Sequence, residues 1–345
     1  MIIGIASYFE SNAIGGTETQ TGFTMKELHN LGQEVRYIKK REDLVNIDIL
    51  HVFHCCREEY LQYCKYHNIP VVVSTIYWNP RELFLYEQNL FRLIQDVDVQ
   101  VKNHKTRLQK VLPYVSMLLP NSYSEYGVLL SDFSCTNIPY RVIPNGVDKI
   151  ELDPDYKIPV RDYILCVGRI EVRKNQLQLI NATPKDIPLV FIGNKGITDR
   201  YVSMCKEAAE RRGNTYFYDA MPHKELWNWL YRCKAYCQPS WYETPGLVSL
   251  MAASIYKPLI LTARGSCKEI FPHAEFTTPC SVEHISNHVS KFQFAEGATP
   301  VISWKEVTEL TINVYKEVLA AYNPLCERSN KRWSEYPEKG TQPLE

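Results

Sequence analysis

The sequence has no surplus of either charge: Lys plus Arg and Asp plus Glu each total 39 of its 345 residues, so no global basic field marks a nucleic-acid binder. It has no long apolar run, and stretches such as Pro70 to Val73 stop far short of a bilayer, so no transmembrane segment is expected. No basic leader or cleavable apolar region precedes the strand-like Ile2-Ile3-Gly4-Ile5-Ala6, and the expectation is a cytoplasmic protein. None of the 11 cysteines, among them Cys55-Cys56 and Cys233 with Cys237, forms the CxxC pair of a zinc site, which reads as reduced packing thiols and no bound metal. A GxGxxG dinucleotide fingerprint is also missing after the first strand.

What is present is globular: 45% hydrophobic and 23% charged residues, in a chain long enough for two domains. Short β-rich runs (Ile2 to Ala6, Val35 to Ile38, Ile49 to Phe53, Val71 to Ser74, Ser116 to Leu119) alternate with helical stretches, which implies a parallel sheet wrapped by helices. Turn formers break the pattern at Pro144-Asn145-Gly146-Val147-Asp148, a hinge. The alternation restarts at Tyr163 to Gly168 and continues through Leu189 to Ile192, Thr215 to Tyr218, Ala235 to Gln238 and Pro258 to Leu261. The expected fold class is therefore α/β, with two Rossmann-like, doubly wound domains facing across a cleft. These are 1–150 and 151–303. Apolar residues at helical spacing place an amphipathic helix over 304–325, which could pack back on the N-terminal domain, and 326–345 reads as a polar tail.

Chemistry should sit on the loops after strands. Gly15-Gly16 precede a helix start at Thr17, where bare amides can approach a phosphate, although a structural turn explains a glycine pair equally well. After Ile164 to Val167 come Gly168-Arg169 and, five residues on, Lys174, two cations that could converge on one anion or simply be solvated. After Ala235 to Gln238 comes Pro239-Ser240-Trp241-Tyr242-Glu243-Thr244-Pro245-Gly246-Leu247, with Glu243 placed either to meet sugar hydroxyls beside helix amides or to cap the helix.

These motifs in this order resemble the retaining glycosyltransferases of family 4, of the GT-B fold, from the first strand to about Phe271. The resemblance implies a metal-independent transfer of a sugar from a nucleoside-diphosphate sugar to a glycan, lipid-linked or other hydroxyl acceptor, with no cofactor. It implies 1–150 as the acceptor-side domain, 151–303 as the nucleotide-sugar-binding domain, and Arg169, Lys174 and Glu243 as catalytic residues. Gly15, Gly16, Gly193, Asn194, Thr244, Pro245, Gly246 and Leu247 would surround the donor diphosphate, and Met221, Pro222 and Met251 the nucleoside. Met251 departs from the family pattern, which has a second glutamate there for the ribose hydroxyls; a thioether cannot replace that acceptor. The strand Val71 to Ser74 also lacks the histidine that many members place after it, and Tyr77, Trp78 and Asn79 are read as shaping the acceptor side or as aromatic packing.

From Val99 to Ser124 no acid occurs, while Lys102, Lys105, Arg107 and Lys110 are interleaved with apolar residues. Residues 99–124 thus read as a peripheral membrane contact or as a solvated helix face. Two other readings stay open: a degenerate nucleotide-binding GT-B protein without turnover, suggested by Met251, and a virus-type DNA-modifying glycosyltransferase, against which the neutral charge argues.

Overall fold

The computed structural model describes residues 1–7, 15–78, 96–148, 150–196, 199–277, 282–291 and 301–322. In chain order the first sheet and its helices are β1 (Ile2–Ser7), α1 (Gly16–Asn30), β2 (Glu34–Tyr37), β3 (Ile49–Phe53), α2 (Glu58–Tyr66), β4 (Val71–Ser74), α3 (Asp96–Val111), β5 (Met117–Leu119) and α4 (Tyr123–Phe133). The second series runs β6 (Ile164–Val167), α5 (Gln176–Ala182), β7 (Leu189–Ile192), α6 (Asp199–Arg212), β8 (Thr215–Tyr218), α7 (His223–Arg232), β9 (Ala235–Gln238), α8 (Leu247–Ser254), β10 (Leu259–Thr262), α9 (Cys267–Ile270), β11 (Glu275–Thr277) and α10 (Val282–Lys291). α11 (Trp304–Ala321) follows.

Both sheets are parallel, in the orders β2-β1-β3-β4-β5 and β11-β10-β9-β6-β7-β8. Strand order reverses between β1 and β3 in the first sheet and between β6 and β9 in the second. Ligands of such sheets bind outside the carboxyl ends at these reversals. β11, a three-residue edge strand of mixed polarity, escaped the sequence reading because it is too short to show a period.

The pleat sorts each strand onto two cores. In the first sheet Leu50, Val52, Val71 and Val73 pack under α2, α3 and α4, while Ile3, Ile5, Ile49 and Val72 face α1 and α11. Thus α11, coming last in the described chain, packs on the first sheet through Trp304, Val307, Val314, Tyr315 and Val318. Ser303 starts it with a capping box: its hydroxyl accepts from the Glu306 amide while the Glu306 carboxylate accepts from the Ser303 amide. His51, buried on β3, shares hydrogen bonds with Tyr315 (2.6 Å) and Ser74 (2.9 Å), joining α11 to the sheet.

The chain crosses between the two halves side by side at two places. Val147 donates to the Ile302 carbonyl at 2.9 Å, and the Trp304 amide donates to Asp148 at 3.1 Å. A Cβ on Gly146 would lie 2.6 Å from the Trp304 nitrogen, so only glycine lets the two crossings touch. Among the described residues all nine cysteines are free and eight are buried. No described helix is long and apolar enough to cross a membrane.

Candidate active site

The second sheet's reversal point gathers three charges from two loops. β6 ends at Gly168, and a 3-10 turn over Val172–Lys174 leads to Asn175, whose left-handed backbone (φ 61°) starts α5. The Asn175 side chain donates to the Pro239 carbonyl (3.0 Å), and the Trp241 amide donates to the Arg173 carbonyl (2.8 Å). The loops after β6 and β9 are therefore knit together. That brings the Lys174 ammonium to 2.5 Å from Glu243 Oε1 and the Arg173 guanidinium to 3.6 Å from the same oxygen. Arg173 also meets Glu171 at 3.2 Å and donates to the Tyr242 carbonyl at 3.2 Å.

Glu243 is buried, 4% exposed. Burial works against its charge, but Lys174 and Arg173 outweigh it, helped by hydrogen bonds from Lys174 and Ser240, and hold the carboxyl below the usual range. Its backbone carbonyl accepts from the Ser266 amide (2.9 Å). Gly265 (φ 75°) passes so close that a Cβ there would lie 2.0 Å from that oxygen. The carboxylate is thus set from both ends and stays ionised at neutral pH.

Arg169 is not part of this cluster. Its side chain is half exposed and lies 3.6 Å from Glu171, so the expected meeting of Arg169 with Lys174 is replaced by one of Arg173 with Lys174 around Glu243. Arg173 and Lys174 are adjacent in one motif, and the turn ending at Asn175 is what brings both side chains to the β9 loop.

The remaining expected residues surround the cluster unevenly. Thr244, Pro245, Gly246 and Leu247 lead into α8, whose N-cap Gly246 has no side-chain cap, and the N-cap of α1, Gly15, likewise has none. Gly16 is exposed, with open space where a Cβ would stand. Leu247 packs on the apolar cluster of the first sheet, so α8 starts at the boundary between the halves. Gly193 (φ 154°) abuts Gly168, where a Cβ would come within 2.2 Å of the Gly168 carbonyl oxygen. Asn194 accepts from the Ala220 amide at 3.1 Å, tying that loop to the turn holding Met221 and Pro222.

Two expectations fail. Met251 is 1% exposed and sits in the apolar cluster with Tyr236, Leu250 and Leu261, so its side chain fills the core and has no open face for a ribose. Tyr77 is 0% exposed: its hydroxyl donates to Asp132 (2.8 Å) and its amide to Glu125 (2.8 Å), so it packs beneath the cleft and forms none of its acceptor surface. Asn79 lies outside the described residues. In the basic stretch Leu108 and Val111 are core, Lys110 is exposed and Lys105 pairs with Asp132 at 3.7 Å, the pattern of a solvated helix face; the Lys102 side chain lies outside the described residues. No group of three or more His, Cys, Asp or Glu able to hold a metal ion occurs among the described residues.

Across the cleft the first sheet's edge carries a stack of rings. His54, after β3, stacks on His104 of α3 (centroids 4.0 Å apart, 13° between planes), and Tyr77 and Trp78 flank His104 at 5.5 and 5.2 Å. The Arg173 guanidinium lies 5.7 Å over the Trp78 ring, which links the two edges. Below them Glu125, fully buried, accepts from Thr75, Tyr77 and the Asn121 amide, and burial raises its pKa. The halves also meet where Glu269 accepts from the Tyr123 and Ser124 amides (2.9 and 2.7 Å) at the start of α4, and where Ser122 and Ser266 share a 2.6 Å hydrogen bond.

Residues 148–293 match the family model of the glycosyl transferases group 1. Solved structures of the same architecture include the sucrose-phosphate synthase of Thermosynechococcus elongatus (TM-score 0.75, 15% identity, 93% of this chain and 99% of that one). A glycosyltransferase from Rickettsia africae ESF-5 aligns at a TM-score of 0.67 and 15% identity, over 92% and 98% of the two chains. The chain has the GT-B fold, and its second half is similar to the glycosyl transferases group 1. The O-antigen chain mannosyltransferase B of Escherichia coli is 27% identical to this GT-B chain over 180 residues, which are 47% of each protein. The chain thus matches about half the length of that relative.

Proposed function

We propose that this protein transfers a sugar from a nucleoside-diphosphate sugar to an acceptor hydroxyl, with retention of configuration and without a metal. The observation that carries the reading is the buried, ionised Glu243 held by Lys174 and Arg173 at the strand reversal of the second sheet. An ammonium has three protons. Lys174 gives one to Glu243 and can offer the others to diphosphate oxygens, while half-exposed Arg169 swings from Glu171 onto the same anion. The uncapped first turns of α1 and α8 bring backbone amides from both halves to the phosphates, with Gly16 permitting close approach.

In this arrangement cations and amides stabilise the diphosphate as the glycosidic bond breaks, and Glu243 accepts hydrogen bonds from the sugar. The departing phosphate lies on the face from which the acceptor enters and takes its proton, which gives retention without a separate base. With Met251 in the core, the ribose is held by the loop and turn around Asn194 and Met221. The acceptor is a glycan or another hydroxyl compound, bound from the first sheet's side.

The test is thermal-shift screening against nucleoside-diphosphate sugars, with mannosyl donors first because of the mannosyltransferase relative, followed by product analysis with chelator present. Stabilisation and a retained linkage are expected. Stabilisation by no donor, or turnover only on adding magnesium or manganese, overturns the reading.

A further inference from the structure

The mechanism leaves His54 and His104 unused. Both stand at the carboxyl edge of the first sheet, and each has a buried Nε2 with no hydrogen-bond partner. A buried polar atom without a partner keeps its full desolvation penalty, and two of them on stacked rings is a costly arrangement. Strain gathers at the same place. His54 (φ 64°) and Ile76 (φ 44°) both adopt left-handed backbone, which is particularly unfavourable for the β-branched Ile76.

The other nitrogen of each ring defines what these Nε2 atoms are. His54 Nδ1 lies 3.0 Å from the Thr75 carbonyl oxygen, which only accepts, so Nδ1 carries the proton. His104 is hydrogen-bonded to the Ile76 backbone in the same way, through its only other nitrogen. The loop after β4 thereby fixes both tautomers. Burial keeps both rings neutral, pushing His54 down to about 4, and Arg107 and Arg173 nearby oppose a further positive charge. Each Nε2 is therefore a bare lone pair at neutral pH. Such an atom accepts from a hydroxyl and repels a phosphate oxygen, which has no proton to give.

We propose that His54 and His104 form a sugar-hydroxyl subsite on the first sheet's side of the cleft, their two Nε2 atoms accepting from hydroxyls of a bound hexose while Trp78 supplies an apolar wall. The inference rests on the sugar-transfer reading and specifies which chemistry the first sheet's side recognises. Contact with Glu243 through Arg173 and Trp78 places the subsite next to the reacting centre, so the hydroxyls belong either to the acceptor or to the transferred sugar.

Long-range proton–nitrogen NMR of the histidine side chains tests this without turnover. Both rings should show the Nδ1-protonated tautomer at pH 7, and free methyl mannoside or methyl glucoside, but not a nucleoside diphosphate, should shift the Nε2 signals. His104→Phe, which keeps the stacked ring, and His54→Asn, which tolerates the left-handed backbone, should each weaken sugar binding about tenfold. If transfer occurs, a rise in acceptor KM with unchanged donor hydrolysis assigns the acceptor, and a matching fall in donor hydrolysis assigns the transferred sugar. Sugar-induced shifts with no turnover on any donor would sink the transferase reading and leave the subsite standing. Protonated Nε2 atoms, or signals indifferent to both sugars in a folded protein, would overturn the subsite.

Discussion

At the carboxyl edge of the second sheet, ions do the positioning: Lys174 and Arg173 hold Glu243, and glycines at 193 and 265 let backbones close in. At the facing edge of the first sheet the polar groups are neutral imidazoles among aromatic rings, and the unusual backbone belongs to His54 and Ile76 rather than to glycine. One edge tolerates strong charge because opposite charges sit within contact distance; the other keeps its imidazoles neutral by burial. The difference teaches where an anionic and an uncharged part of one substrate pair would each find a complementary surface.

The largest effect expected from disturbing this contrast is to put a charge where neither edge can pair it. Met251→Glu buries a carboxylate in the apolar cluster and should lower unfolding stability by roughly 3 to 5 kcal/mol at pH 7 in urea titrations. The loss should ease on acidification, because the buried acid has a raised pKa and regains its proton. Unchanged stability would show that position 251 opens onto the cleft after all.

Next in size is Glu243→Ala, which leaves Lys174 and Arg173 without their common partner and should cost about 3 kcal/mol, with transfer abolished. The folded pKa of Glu243 is depressed, so its stabilisation is present above the ordinary carboxylate pKa and is lost as pH falls through the folded value. The gap between variant and wild type should close over that acid range, and a gap that persists would mean packing, not charge, holds this loop.

On the neutral side, Glu125→Gln presents an amide where the Asn121, Tyr77 and Thr75 donors need two acceptor oxygens. It should cost about 2 kcal/mol in the same titrations and disturb the Trp78 fluorescence environment. A variant of native stability would make the buried carboxylate dispensable to the first edge. The smallest structural effect belongs to Arg169→Ala: stability within about 0.5 kcal/mol of wild type, since its ion pair is half exposed, but transfer reduced about 10- to 100-fold. Equal loss of stability in Arg169→Ala and Arg173→Ala would erase the distinction between the two arginines.

The sheets were readable because parallel, doubly covered strands are near-continuous apolar runs, as in Val71–Ser74 and Leu189–Ile192. The loops after β6 and β9 were readable as motifs. Contact was not, because nothing in a 69-residue separation says that Lys174 meets Glu243, or that Arg173 does so ahead of Arg169. Met251 misled because helical spacing tells how far along α8 a side chain lies, whereas the packing of α8 on the second sheet decides that it points inward. His104 lies in a helix that reads as basic and amphipathic, and only the fold sets it against His54 and Trp78. Glu125 carries no local signal either, since its partners come from the loop after β4.

The return of α11 to the first sheet has a consequence for how the protein is made. Ile3, Ile5, Ile49 and Val72 emerge from the ribosome long before Trp304, Tyr315 and Val318, which cover them. Roughly 200 residues separate β5 from the end of that cover, on the order of 10 to 40 s of synthesis at typical elongation rates. Throughout that interval one apolar face of the first sheet has α1 but not α11 to cover it, while the whole second domain is produced and can close its own core. Half-made chains are thus the most aggregation-prone form of this protein, and the domain begun first is completed last.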